Sequence, residues 1–208
     1  KTCKASPIAN INIFIFPLLP FSMDLTKTIS LWCSLRNFSS KSVHWDHILE
    51  AIDAANQAPF AGNINNLKFI IVEKQELKSK LAEQSQQLWI SQASHIIIVI
   101  SNKKYLEALY NEKADKYSKQ QAGAAIENFL LKVTDLKLAS CWIGEFNDEA
   151  IKRDLKIPAE WEIEALLPIG YVQKTRIPIK KPRKNRLDTS VYWDFWGISK
   201  KPNLRKDL

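Results

Sequence analysis

Residues 122–138, AGAAIENFLLKVTDLKL, and the stretch ASCWIGEF that follows at 139–146 decide the fold. Ala122, Ala125, Ile126, Phe129, Leu130, Val133 and Leu136 recur at the i, i+3, i+4, i+7 spacing of a helix. One full face of that helix must therefore be buried. Ser140–Gly144 (SCWIG) then reads as a strand. Upstream, His95–Ser101 (HIIIVIS) is apolar without alternation, the pattern of a strand covered on both faces. Such a strand needs helices on each side of its sheet.

The flanking sequence supplies them. Residues 24–33 and 43–57 read as helices; Ser42 is placed to cap the second, whose apolar marks are Val43, Ile48, Leu49, Ile52 and Ala55. Lys68–Glu73 (KFIIVE) is a short β-branched strand. Lys74–Gln92 reads as one polar helix marked by Leu77, Leu81, Leu88 and Trp89. Asn147 caps a short helix that stops before Pro158, and Ile163–Val172 is a strand through Pro168 and Gly170. The predicted class is an α+β sandwich with helices on both faces of one sheet. No repeat or linker follows Met23, so residues 23–208 are expected to form one domain. Residues 1–22 carry Lys1 and Lys4 before an apolar stretch broken by Pro17 and Pro20; Met23 is the sole methionine. They are expected to be an extension upstream of a natural start at Met23, with a targeting segment as the alternative.

Composition narrows the function classes. The chain has 208 residues, 46% hydrophobic and 25% charged, which excludes a disordered or low-complexity scaffold. Its five glycines form neither G-x-G-x-x-G nor a P-loop. Cysteines 3, 33 and 141 are odd in number and widely spaced, giving neither a disulfide framework nor metal spacing. Cys33 and Cys141 read as inert core thiols, and His95, opening a buried strand, as a structural histidine. No nucleophile–base pair stands out, so any chemistry points to a bound cofactor. The net charge of +8 permits an anionic partner without choosing one. From Gln173 onward the chain is basic and aperiodic and ends in Tyr192-Trp193-Asp194-Phe195-Trp196. An aromatic cluster with no core of its own is expected to pack along another subunit.

Ordered motifs then carry a resemblance. They are Ser34-Leu35-Arg36-Asn37-Phe38, Ala58-Pro59-Phe60-Ala61-Gly62-Asn63, Leu138-Ala139-Ser140-Cys141-Trp142-Ile143-Gly144-Glu145-Phe146, Leu167-Pro168-Ile169-Gly170-Tyr171, and the late Arg183-Lys184. Together they resemble the nitroreductase family of FMN-dependent oxidoreductases over about residues 24 to 196. The resemblance implies a mostly antiparallel sheet flanked by helices and a homodimer with an exchanged C-terminal arm. It implies FMN as cofactor, with NADH or NADPH delivering hydride to flavin N5 and a nitroaromatic, quinone or similar flat acceptor taking the electrons by ping-pong. By resemblance, Ser34 meets the phosphate, Arg36 the N1/O2 edge, and Pro59, Phe60 and Asn63 line the ring from the partner's half. Gln86 falls where an amide reads the pyrimidine edge. Ile143, Gly144 and Glu145 bring backbone near N5, and Arg183 and Lys184 close on the phosphate. No side-chain acid or base is needed beyond the flavin.

The chain departs from the pattern in places. Trp32 stands where the family has its first arginine, Phe60 replaces a serine, and Trp89 occupies a position that is lysine in some members. A halide-removing or flavin-fragmenting branch is the alternative within enzymes. A basic module using Lys174–Arg186 on nucleic acid is the alternative from another class. The expectation is a cytoplasmic enzyme without metal, membrane or nucleic-acid partner.

Overall fold

The computed structural model describes residues 24–173 and 186–199. The expected extension at 1–22, its boundary at Met23, and Arg183 and Lys184 lie outside the described residues. Four strands form one antiparallel sheet in the order β1-β2-β4-β3, with β1 at Leu67–Val72, β2 at His95–Ser101, β3 at Ala139–Ser140 and β4 at Glu162–Gly170. The helices are α1 (Leu25–Leu31), α2 (Trp45–Asn56), α3 (Gln75–Gln84), α4 (Lys104–Tyr110), α5 (Ala114–Asp135), α6 (Asp148–Leu155) and the single turn α7 (Leu187–Ser190). The expected α+β sandwich is the one observed.

The period-2 geometry of β2 explains its uninterrupted apolar run. Ile97 and Val99 join Ala165, Leu167 and Ile169 in a core built with α2 and α5. Ile96, Ile98 and Ile100 point the other way, into a core with Leu81 of α3 and Ile151 of α6. All seven β2 residues are buried. The pairing shifts register between Val99 and Ile100, so Glu164 is an extra residue in β4. This bulge lets Ile163 face the second core while Ala165 faces the first. Pro168 is tolerated in a central strand for a local reason. Leu166 exchanges both backbone hydrogen bonds with Ile143 on the β3 side. Two residues on, Pro168 presents its missing N–H to that same side, where the ladder is open at Cys141 and Trp142.

Several boundaries differ from the sequence reading. Helix α2 is capped by His44, whose Nδ1 accepts from the Asp46 N–H at 3.4 Å. Ser42 instead lies against Ser94, and Leu49 is exposed. The single helix expected over 74–92 breaks after Gln84: Gln86 takes φ +53°, and residues 88–92 form a separate 3-10 turn. Helix α5 begins at Ala114, well before its apolar face does. Its first turns are polar because Ser118 and Gln121 face a buried hydrogen-bond network, described below. Strand β3 is shorter than SCWIG; beyond Ser140 only Ile143 rejoins the sheet.

Candidate functional site

Segment 34–39 lies along the β3 edge as a partial extra strand. The Leu35 N–H donates to the Ser140 carbonyl at 2.9 Å, the Ser39 N–H to the Tyr171 carbonyl at 2.9 Å, and the Gln173 N–H to the Asn37 carbonyl at 3.2 Å. Phe38 bridges Val172 and is buried against Gly170, where an added Cβ would stand 2.7 Å from Phe38 Cδ1. Glycine is therefore required at 170 by the ring above it. These bonds hold Ser34 half-buried and Arg36 exposed beside β3. Trp89 arches over from the 3-10 turn, stacking on Phe38 with centroids 6.1 Å apart and standing 6.0 Å from Arg36 Cζ.

Beyond Ser140 the same edge carries Ile143, Gly144 and Glu145. Ile143 is a core residue with both backbone groups bonded to Leu166, so it offers nothing to a ligand. Gly144 and Glu145 are exposed, and among the described residues their N–H groups have no hydrogen-bond partner. The space over Gly144 is open: an added Cβ would meet nothing nearer than Trp142 Nε1 at 4.0 Å. Neither packing nor a positive φ demands glycine here, whereas close approach of a flat ligand to the backbone would. The Asn147 N–H donates to the Gln84 carbonyl at 2.9 Å, which ties this loop to the α3 end. Gln86 is exposed in the left-handed turn that follows, off the helix on which it was expected.

The second group belongs to the connection between α2 and β1. Pro59 and Asn63 are exposed on the loop entering β1, and Phe60 is half-buried against the α2–α5 core. Gly62 and Asn63 both take left-handed backbone, with φ +60° and +58°. Gln121 of α5 pins the loop: its Oε1 accepts from the Ala61 N–H at 3.1 Å, and its Nε2 donates to the Ile64 carbonyl at 3.2 Å and to Asn66. Asn66 in turn donates to Ser118 at 2.7 Å and to the Asn102 carbonyl. Residues Leu67 and Ser101 pair at this end, whereas His95, Ile169 and Gly170 mark the other. β1 and β3 are the two sheet edges, roughly 14 Å apart across three strand spacings; along β2 the 34–39 segment lies at the His95 end, whereas Gly144, next to Ile143 opposite Leu166, stands near the Ser101 end.

Other sequence candidates fall into place. Trp32 packs half-buried against the first core and presents no cation. Cys33 and Cys141 are buried free thiols, as expected. His95 is buried and paired with the Ser94 hydroxyl through Nδ1 at 2.9 Å; burial pushes its pKa below the ordinary histidine value, against smaller opposing help from Glu73. Lys78, nearly buried, donates to the Ala93 and Ser94 carbonyls at 2.8 and 3.0 Å, and desolvation likewise lowers its pKa. Sequence reasoning did not single out this lysine, because a lone Lys in a polar helix carries no signal. Lys78 and Ser94 line an open polar cleft of about 710 Å³ beside Phe38. Among the described residues no group of His, Cys, Asp and Glu could hold a metal, and no helix is long and apolar enough to cross a membrane. The arm is exposed, Phe195 and Trp196 most of all at 76% and 88%. Leu25, Ile29 and Leu31 of α1 and Trp45 and Leu49 of α2 are exposed apolar residues as well.

The nitroreductase family model matches residues 30–93 and 83–171. A protein of Archaeoglobus fulgidus provisionally named NADH dehydrogenase/NAD(P)H nitroreductase is 29% identical over 143 residues, covering 66% of this chain and 79% of that protein. The crystal structure of a nitroreductase family protein from Clostridium novyi NT is similar at a TM-score of 0.68 with 27% identity, over 85% of this chain and 97% of that one. An FMN-dependent nitroreductase from Clostridium difficile R20291 shares the fold at a TM-score of 0.67 with 22% identity, over 81% of this chain and 98% of the other.

Proposed function

Because the chain belongs to the nitroreductase family, we propose that it is an FMN-dependent oxidoreductase. It passes electrons from NADH or NADPH to a flat acceptor such as a nitroaromatic or quinone. The observation that carries this is the open face over Gly144, with two unpaired backbone N–H groups beside the Ser34–Arg36 loop. That donor set fits a ring needing hydrogen bonds at one edge and a cation at another. The Archaeoglobus protein is named for NAD(P)H and the Clostridium difficile protein for FMN, in keeping with this reading.

FMN, when bound, supplies the two-electron chemistry; the protein holds and tunes it. The Ser34 hydroxyl donates toward the phosphate. The Gly144 and Glu145 N–H groups orient the ring edge, and Arg36 places positive charge where negative charge accumulates on reduction. Arg183 and Lys184 complete the phosphate end, more heavily because Trp32 contributes no cation. Pro59, Phe60 and Asn63 lie on the loop before β1, the sheet edge opposite β3. They serve the second site of a homodimer, whose interface takes the exposed arm and the apolar faces of α1 and α2.

The purified protein tests this directly. A yellow preparation with flavin absorption, bleached by NADH or NADPH under anaerobic conditions and dimeric by light scattering, is expected. A colourless protein that takes up no added FMN refutes the reading. A monomer that retains FMN refutes the shared site alone.

A further inference from the structure

We infer that Trp89 is a positioning residue for Arg36: its indole is the platform that holds the guanidinium at the edge of the proposed flavin site. The inference rests on the FMN reading above. Arg36 is exposed, and among the described residues no carboxylate lies within ion-pair distance of it. An arginine so placed has many rotamers of similar energy, and its charge would be smeared over several ångströms. One feature limits that freedom: the Trp89 ring, 6.0 Å from Cζ, within the range of a cation–π contact.

Trp89 is itself well fixed. It stacks on Phe38 at an interplanar angle of 24°, and Phe38 is wedged against Gly170 and bridged to Val172. The ring also packs against the second core. A column therefore runs from the end of β4 through Phe38 and Trp89 to Arg36. It joins the 3-10 turn to the 34–39 segment, which share no covalent neighbour. A lysine at position 89 would bring its own charge and repel Arg36. Tryptophan brings no charge and concentrates the function in one cation.

The consequence is specific. Removing the platform leaves the Arg36 charge present but less localised, so the reduced, anionic ring loses stabilisation while the oxidised, neutral ring loses little. A cation–π contact at a half-exposed site alters an equilibrium by about two- to fivefold. In the full-length dimer, Trp89→Leu is thus expected to weaken binding of dithionite-reduced FMN two- to fivefold relative to oxidised FMN. Trp89→Phe keeps a ring and should restore most of the difference. Combined with Arg36→Ala, Trp89→Leu should have no further effect on that ratio. Equal loss for both redox forms, or an undiminished effect in the Arg36→Ala background, would show a merely structural tryptophan and overturn the inference. A flavin-free readout separates this from failure of the FMN reading. The Arg36 Nε–H resonance should carry an upfield ring-current shift that disappears in Trp89→Leu; its absence in the wild type overturns the platform whatever the cofactor. A wild type that shows the shift yet binds no FMN in either form overturns the cofactor reading and, with it, the role assigned to the contact.

Discussion

Substituting Gly170 by alanine probes the packing that sets the site. The added methyl would stand 2.7 Å from Phe38 Cδ1, 3.3 Å from Cγ and 3.4 Å from Cβ. Carbon atoms rest at about 3.5–4.0 Å, so the ring must retreat by about 1 Å. It has little room, being 4% exposed, stacked beneath Trp89 and bridged through its backbone to Val172. The backbone of Gly170 does not take a positive φ, so the penalty is steric rather than conformational. Overpacking of this kind costs about 1–3 kcal/mol. For a domain of this size that is a fall in Tm of about 3–10 °C. Urea unfolding followed by far-UV circular dichroism measures it. Repeating the substitution in a Phe38→Leu background should remove most of the penalty, because the offending ring is gone. A Gly170→Ala protein as stable as wild type, or a penalty unchanged by Phe38→Leu, would refute the reasoning.

Four further outcomes follow from the same structure. Gln121→Leu strands the Ala61 N–H and the Asn66 Oδ1, costing about 1–3 kcal/mol; faster amide exchange at 61–66 should accompany the lower urea midpoint. Phe129→Ala, at a fully buried position of α5, should cost about 3–5 kcal/mol by the same assay. His95 has a folded-state pKa below its ordinary value, chiefly through desolvation. The unfolded chain therefore binds a proton first as pH falls below about 6.5, and stability should decline there; His95→Gln should flatten that part of the urea-midpoint profile. Arg183→Ala should weaken FMN binding ten- to a hundredfold, the value of one charge-assisted contact of about 1.5–3 kcal/mol, with equilibrium dialysis as the check.

What could be read from the sequence was set by periodicity and by motif order. The two-sided burial of β2 and the apolar face of α5 are properties of spacing, and spacing survives into three dimensions. What escaped depends on single-residue chemistry with no period. Gln86 adopts a left-handed turn that its amide does not advertise, so the helix through 74–92 was expected to continue. His44 took the cap that Ser42 could equally have supplied, because Ser42 sits against Ser94. The polar start of α5 lacks an apolar stripe because its inward side chains hydrogen-bond to Asn66 and Ser101 instead. The column from Phe38 through Trp89 to Arg36 joins residues about 50 positions apart, which no local pattern reveals.

The placement of the two residue groups bears on why a dimer is part of the proposed chemistry. Ser34, Arg36, Gly144 and Glu145 flank β3 because Leu35 bonds to Ser140, residues 37–39 bond to 171–173 and Ile143 bonds to Leu166 of β4. Pro59, Phe60 and Asn63 lie on the loop before β1, at the other sheet edge, where Gln121 of α5 holds Ala61 and Ile64. In the proposed dimer, association of two copies across the exposed apolar residues of α1 and α2 would let one chain's 59–63 loop meet its partner's Gly144 without disturbing either core. The cost is translational and rotational freedom, offset by burying surface that is already apolar. Flavin binding and dimerisation should therefore be linked, each strengthening the other by the same factor. Dilution of the apo and FMN-loaded protein, followed by light scattering, measures that factor; equal dimer affinity in both forms would show that the two halves do not share a ligand.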